Sequence, residues 1–470
     1  MAQYDFGIVG LGVMGQNLAL NVESKGFSVA GYDVDSGKAR AAETKWAGKR
    51  MTTVPSLRAL VDSLARPRKI LIMVPAGKPV DSVLGELKGL LEPGDVVIDG
   101  GNSFFQDTDR RSQELAPLGI LYVGMGVSGG EEGALHGPSL MPGGPPEAYQ
   151  LLEPILTAIA AKTEDGPCCA YIGRGGAGHY VKMVHNGMEY GIMQLLAESY
   201  DIMKRLLGMS AAEMQPVFAR WNEGPLNSYL VEITAAILSR TDPETGLPLV
   251  EVILDRAGQK GTGKWTSQNA LDVGVAIPTL NAGLEARILS AFKDERMQAA
   301  RLLTGPCKKF DQDRNQFLGA LHDGLRLAIV TTYAQGFALM REASKEYGYG
   351  LDLAEIARTW KGGCIIRARV LDGIKAAFAD NPELPNLLLN PRFAALANEL
   401  HPALRSVVCA ACEHGVPCLA LADSLGYLDS YRSERLPANL VQAQRDYFGA
   451  HTYERLDKPR GQFFHTEWTA

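Results

Sequence analysis

Short, nearly continuous apolar runs alternate with amphipathic stretches through residues 1–177. The runs are 6–9, 28–32, 70–74, 96–98 and 121–123, with a weaker one at 171–172. Apolar runs of this length between helical patterns predict strands buried on both faces, and hence a doubly wound parallel sheet. Past Gly173-Arg174-Gly175-Gly176-Ala177-Gly178 the texture changes to long helical patterns that continue to about Asp423. Two stretches there run alike. One passes through Met214, Phe218 and Trp221 into an apolar helix ending near Leu238, and the other through Leu353, Ala357 and Trp360 into one ending near Phe378. Each comes after a long helix, predicted at 182–207 and 317–347, so the region reads as a duplicated helical unit. From Arg435 on, Pro, Gly and aromatic residues predict an extended tail lying on something, a neighbouring subunit included. The expected domains are therefore 1–177, 178–434 and 435–470.

The first run ends in Gly10-Leu11-Gly12-Val13-Met14-Gly15, and a helical pattern succeeds it at 16–24. This is where a Rossmann-type dinucleotide turn belongs. Gly10 permits the tight turn, Gly12 the approach of a pyrophosphate, and Gly15 close helix–strand packing. The phosphates then meet free N–H groups at the helix N-terminus. Asp33 ends the second run and can accept from the adenosine ribose hydroxyls; a turn-capping role for it stays open. Val34 brings no positive charge and Asp35 adds a negative one, which disfavours the 2′-phosphate of NADP. Lys38 or Arg40 could weaken that preference by reaching back. Val13, Met14, Val74 and Asn102 complete the expected dinucleotide contacts.

Composition narrows the class. The chain has 470 residues and a net charge of −6, with no long basic run, so nucleic-acid binding is not expected. Seven cysteines, an odd number, fit reduced thiols in a cytoplasm. No leader pattern or membrane-length apolar stretch is seen.

Lys182, His185, Asn186 and Glu189 recur at helical spacing and share one face. A solvated face shows the same spacing, and both readings stand on these residues alone. Six strings decide between them. They are Ile98-Asp99-Gly100-Gly101-Asn102, Gly126-Val127-Ser128-Gly129-Gly130, Pro138-Ser139-Leu140-Met141-Pro142-Gly143-Gly144, Lys182-Met183-Val184-His185-Asn186-Gly187, Gly258-Gln259-Lys260-Gly261-Thr262-Gly263-Lys264-Trp265 and Ala443-Gln444-Arg445-Asp446-Tyr447-Phe448-Gly449-Ala450-His451. Together they resemble the decarboxylating 6-phosphogluconate dehydrogenase family, in its long form, over essentially the whole chain.

The resemblance implies oxidative decarboxylation of 6-phospho-D-gluconate to ribulose 5-phosphate and CO2, a pentose phosphate pathway reaction, with reduction of NAD(P) and no metal. It implies Lys182 as base, neutral through burial or a neighbouring cation, and Glu189 as the acid that protonates the enediol. Asn102, Ser128, Gly129, Gly130, His185 and Asn186 would orient the substrate. Its phosphate would sit among Tyr190, Lys260, Thr262 and Arg287, with Arg445 and His451 from the tail of the other subunit of a homodimer. Familiar NADP-using members carry an Asn-Arg-Ser/Thr type stretch where this chain has Asp33-Val34-Asp35, and many have Lys where Pro75 stands. NAD is therefore favoured over NADP.

Two other enzyme readings, and a zinc site, compete with this reading. A non-decarboxylating 3-hydroxyacid dehydrogenase would share the first domain and the lysine, but not the second helical half or the tail. Gly258-x-x-x-x-Gly263-Lys264 matches most of a phosphate-binding loop, yet Trp265 replaces the Ser/Thr and the residues after it do not read as a regular helix start. Cys409, Cys412, His414 and Cys418 fit no common zinc spacing and are expected on a helix and its closing turn as buried thiols.

Overall fold

The computed structural model describes residues 3–259 and 261–468. The chain forms two compact units, Met1–Ser424 and Leu425–Ala470.

The first unit opens with a seven-stranded sheet in the order β3-β2-β1-β4-β5-β6-β7. The strands are β1 (Phe6–Val9), β2 (Val29–Tyr32), β3 (Met51–Thr53), β4 (Lys69–Ile72), β5 (Val96–Asp99), β6 (Leu121–Ser128) and β7 (Ser139–Gly143). Strands β1 to β6 pair in parallel; Ile8, for example, pairs with Gly31 on one side and Leu71 on the other. Their side chains alternate between two apolar clusters, one per sheet face. Phe6, Ile8, Val96, Ile98 and Val123 lie in one, and Val9, Ile70, Ile72, Val97 and Tyr122 in the other. That two-sided burial is why the runs are apolar throughout.

The connecting helices are α1 (Val13–Ser24), α2 (Ser36–Trp46), α3 (Leu57–Ser63), α4 (Lys78–Leu87), α5 (Phe105–Leu115), α6 (Gly130–His136) and α7 (Pro146–Ile159). Two features correct the predicted sheet. Strand β7 runs antiparallel to β6, with Val127 opposite Leu140. The weak run at 171–172 is not a strand; Cys169 and Gly173 make isolated bridges to β7 instead. A short hairpin, β8 (Lys162–Thr163) and β9 (Gly166–Pro167), precedes that segment.

The helices of the second half are α8 (Ala177–Arg205), α9 (Ala211–Glu223), α10 (Tyr229–Leu238), α11 (Leu249–Val252), α12 (Thr262–Asp272), α13 (Pro278–Ala291), α14 (Lys293–Leu302), α15 (Arg314–Glu346), α16 (Leu353–Thr359), α17 (Val370–Asp380), α18 (Pro391–Glu413) and α19 (Leu419–Tyr431). The series α8–α9–α10 and α15–α16–α17 repeats one order. The two copies meet where the segments entering α10 and α17 join, through an antiparallel bridge between Ser228 and Ala368. Helix α12 is a regular helix from Thr262, contrary to the expectation for the segment around Trp265. Its predecessor is the short helix α11, whereas a phosphate-binding loop comes after a strand. Cys409 and Cys412 are exposed on α18, so the expectation of buried thiols holds there only for Cys418.

The second unit is not an extended tail. Beyond the end of α19 it folds as a helix, α20 (Ala438–Gly449), and a small hairpin of β10 (Tyr453–Glu454) and β11 (Phe463–Phe464). Among the described residues, no helix is long and apolar enough to cross a membrane.

Candidate active site

Helix α8 enters against the sheet without side chains in the way. A Cβ on Gly178 would stand 2.2 Å from the carbonyl oxygens of both Gly124 and Met141. One on Gly126 would stand 2.5 Å from the Cβ of Lys182. Glycine at these two positions lets the helix press onto β6 and β7 and seats Lys182 directly over β6. Lys182 is 6% exposed, His185 fully buried and Asn186 9% exposed. A solvated stripe is thereby excluded.

The face is internally bonded. Lys182 Nζ lies 3.4 Å from His185 Nδ1, Asn186 Oδ1 lies 3.1 Å from the same atom, and Glu189 Oε2 lies 3.9 Å from it. With Asn186 Oδ1 as acceptor, Nδ1 carries the ring proton and Nε2 is left facing Ser128 Oγ at 3.3 Å. Burial, and secondly the Lys182 charge, push His185 well below the usual histidine range, so it stays neutral. Burial lowers the pKa of Lys182, while the Glu189 charge opposes that shift. Burial raises the pKa of Glu189. Both shifts favour a neutral amine beside a protonated acid, the states that base and acid roles require.

Polar contacts continue from this face. Asn186 Nδ2 donates to Thr262 Oγ1 at 3.2 Å, at the start of α12. The Arg287 guanidinium on α13 stacks 3.5 Å from the centroid of the Tyr190 ring. Tyr190, Thr262 and Arg287 are thus brought to the side of α8 that carries Glu189. Lys260 lies outside the described residues. Arg445 and His451 belong to the second compact unit.

The loop Ser128-Gly129-Gly130 is held from behind. A Cβ on Gly129 would meet Gly363 O at 2.6 Å, in the segment after α16. That segment brings in residues the sequence did not single out for the site. The rings of Trp360 and His185 meet edge to face at 5.5 Å. The Cys364 thiol, within electrostatic reach of Lys182 and Glu189, is pushed up to about 12 by burial and is inert at neutral pH.

The loop carrying Asn102 has a buried foundation. Asp99 is fully buried and accepts from Ser103 Oγ at 2.6 Å, Tyr122 OH at 3.0 Å and Arg111 Nη1 at 3.3 Å. His179 Nε2 donates to Asp99 O at 3.0 Å, and its Nδ1 accepts from Thr108 Oγ1 at 2.6 Å. Asn102 itself is exposed above this network. The residues that carry it stand on β5, the loop after it, α5, β6 and α8, and the one sequence clue was an Asp closing an apolar run.

The glycine turn has the form a dinucleotide needs. Gly10 has φ +98°, and a Cβ on Gly15 would meet Gly10 O at 1.9 Å. Nothing lies within 4 Å of a Cβ on Gly12, so backbone there is open to a phosphate at the α1 N-terminus. Val13 is exposed, Met14 and Val74 partly so. Asp33 is engaged with the backbone: Oδ2 accepts from Leu11 N–H at 2.7 Å and Oδ1 from Asp35 N–H at 2.8 Å. Asp35 caps α2 through Gly37 and Lys38 N–H. Val34 projects into solvent, 90% exposed.

These features agree with known proteins along the whole chain. Residues 5–173 match the family described as NAD binding domain of 6-phosphogluconate dehydrogenase, and residues 178–468 match 6-phosphogluconate dehydrogenase, C-terminal domain. The Synechocystis sp. protein named 6-phosphogluconate dehydrogenase, decarboxylating is 55% identical, covering 100% of this chain and 98% of that protein. The Bacillus subtilis protein named 6-phosphogluconate dehydrogenase, NADP(+)-dependent, decarboxylating is 53% identical over 100% of both. The Plasmodium falciparum 6-phosphogluconate dehydrogenase, solved apo, with its cofactor NADP+ and with its substrate 6-phosphogluconate, superposes with a TM-score of 0.95. It is 42% identical and covers 99% of this chain and 100% of its own. The match extends through the second helical half and the tail, which does not favour the reading as a shorter 3-hydroxyacid dehydrogenase. The chain belongs to the family of decarboxylating 6-phosphogluconate dehydrogenases.

Proposed function

We propose that the α8 face performs the oxidative decarboxylation of 6-phosphogluconate to ribulose 5-phosphate and CO2, with Lys182 as base and Glu189 as acid. The observation that carries this reading is one helix face on which Lys182, His185 and Asn186 are buried and Glu189 is partly buried, with burial shifting the lysine down and the glutamate up. Neutral Lys182 takes the proton of the C3 hydroxyl. The nicotinamide, when bound, supplies the acceptor for the hydride that leaves C3. The resulting β-keto acid loses CO2 as protonated Lys182 polarises the C3 carbonyl, and Glu189 returns a proton to C1 of the enediol. His185, held neutral, and Asn186, with Asn102 and the loop Ser128-Gly129-Gly130, orient the sugar acid. Tyr190, Thr262, Arg287 and Lys260 take the phosphate.

Arg445 and His451 complete that cradle from a second copy of the chain. In support, the tail unit leaves Leu440, Val441, Tyr447 and Phe448 largely exposed, an apolar surface suited to burial on a partner. Domains 1–177, 178–434 and 435–470 then serve dinucleotide binding, substrate binding with dimerisation, and completion of the partner's site. A cytoplasmic location accords with this metabolic role.

NAD is the favoured cofactor. Asp33 and Asp35 place two carboxylates at the end of β2, and exposed Val34 offers no cation to a 2′-phosphate. The test is kcat/KM for 6-phosphogluconate with each cofactor separately, alongside Lys182→Met. The expected results are at least a tenfold advantage for NAD and no turnover in the variant. Equal or reversed preference overturns the cofactor reading; an active Lys182→Met overturns the base.

A further inference from the structure

Arg445 and His451 flank a side chain to which the proposed chemistry gives no role. Asp446 is fully buried, within the second compact unit. Its Oδ1 accepts from Thr452 N–H at 3.0 Å and lies 2.9 Å from His465 Nδ1. Its Oδ2 accepts from Thr466 N–H at 3.1 Å and from the Trp468 indole N–H at 2.9 Å. Burial pushes this carboxyl up, but the bonds from His465, Thr466 and Trp468 outweigh it and hold the pKa at about 2.

One helical turn earlier, Gln442 acts on the same turn residue from the other side. Its Nε2 donates to Thr452 O at 2.6 Å, while its Oε1 accepts from Arg445 Nη1 at 2.9 Å. Gln442 and Asp446 stand at i and i+4 on α20 and so share a face. Between them they hold both backbone groups of Thr452 and one edge of the Arg445 guanidinium.

The turn held in this way is unusual. His451 sits between two non-glycine residues in the left-handed region, Ala450 at φ 48° and Thr452 at φ 55°. Such conformations persist where surrounding bonds over-determine them, and they cluster at functional sites. The His451 ring meets Phe448 edge to face at 6.0 Å and covers Gly449, where a Cβ would come within 2.7 Å of its Nε2.

We propose that Asp446 is a positioning residue for substrate phosphate. Together with Gln442 it locks the end of α20 and the 450–452 turn into a preformed hand that presents Arg445 and His451 to a phosphomonoester. This rests on the proposed contact of these two residues with the phosphate. Preorganisation matters because charge-assisted donors gain most when their geometry is fixed before binding.

The experiment uses the full-length enzyme and the variants Arg445→Ala, Asp446→Asn, Gln442→Leu and the double variant Arg445→Ala/Asp446→Asn. Four quantities are read: KM and kcat for 6-phosphogluconate, and the competitive inhibition constants of inorganic phosphate and of gluconate, which lacks the phosphate. Arg445→Ala is expected to raise KM and the phosphate constant about tenfold or more. Asp446→Asn is expected to raise both by about fivefold or more, with kcat and the gluconate constant within about twofold of wild type. The double variant is expected to match Arg445→Ala.

An Asp446→Asn enzyme that loses affinity for gluconate as much as for phosphate, or that keeps wild-type KM while Arg445→Ala does not, overturns the proposal. A silent Arg445→Ala instead overturns the reading of the tail on which it rests. Where Asp446→Asn gives no folded protein, Gln442→Leu decides by the same comparison, a selective loss toward phosphate supporting the proposal and an unselective or absent loss overturning it.

Discussion

Replacing Glu189 by Gln removes a negative charge next to the buried base while nearly preserving shape. Lys182 Nζ and Glu189 Oε2 each approach His185 Nδ1, at 3.4 Å and 3.9 Å. They are therefore at most about 7 Å apart. At an effective dielectric of about 20, unit charges at that separation attract by about 2.3 kcal/mol. In its ionised form this carboxylate holds the lysine proton on, opposing the larger effect of burial, which lowers the lysine pKa and favours the protonated form of Glu189. Lys182 acts only when neutral, so kcat/KM rises with pH through its pKa. Glu189→Gln should move that acidic limb to lower pH. It should also depress kcat by roughly 10²–10⁴, because proton delivery to C1 of the enediol is lost. The assay is kcat/KM for 6-phosphogluconate across the pH range, monitored by formation of reduced nicotinamide. An acidic limb that stays in place or moves to higher pH refutes the electrostatic pairing.

Two more outcomes concern the sheet domain. Asp33→Asn with Val34→Arg removes a negative charge and adds a cation at the end of β2. The ratio of kcat/KM for NAD over NADP should fall by at least about tenfold; an unchanged ratio places the cofactor selector elsewhere. Arg111→Met removes the cationic partner of buried Asp99, and with it the bonds of Arg111 to Asp81, Ser103 and Gly77 O. Stability by urea unfolding should drop by about 3–5 kcal/mol, as expected for an uncompensated buried charge; a loss below about 1 kcal/mol contradicts that account.

Sequence patterning revealed those parts of the molecule whose burial is simple. Strands β1, β2, β4, β5 and β6 are buried on both faces and read as apolar runs. Strand β3 is three half-buried edge residues, and β7 holds Pro142 and Gly143, which disguise it. Helix α20 was hidden because Leu440, Val441, Tyr447 and Phe448 are largely exposed, leaving no ordinary amphipathic core stripe.

At the site, one helix carries Lys182, His185, Asn186 and Glu189, so their spacing was visible. Thr262 and Arg287 stand on separate helices and came only through the resemblance to the family. The buried network of Asp99, Ser103, Arg111, Tyr122 and His179 depends on strand order and helix docking, and no local pattern encodes it.

The central claim is that one active site couples hydride removal at C3 to loss of C1. The most direct measurement supplies 6-phosphogluconate labelled at C1 and counts labelled CO2 against reduced nicotinamide in the same reaction. One CO2 per hydride is expected, with both lost together in Lys182→Met. Reduction of the cofactor without release of label would contradict it.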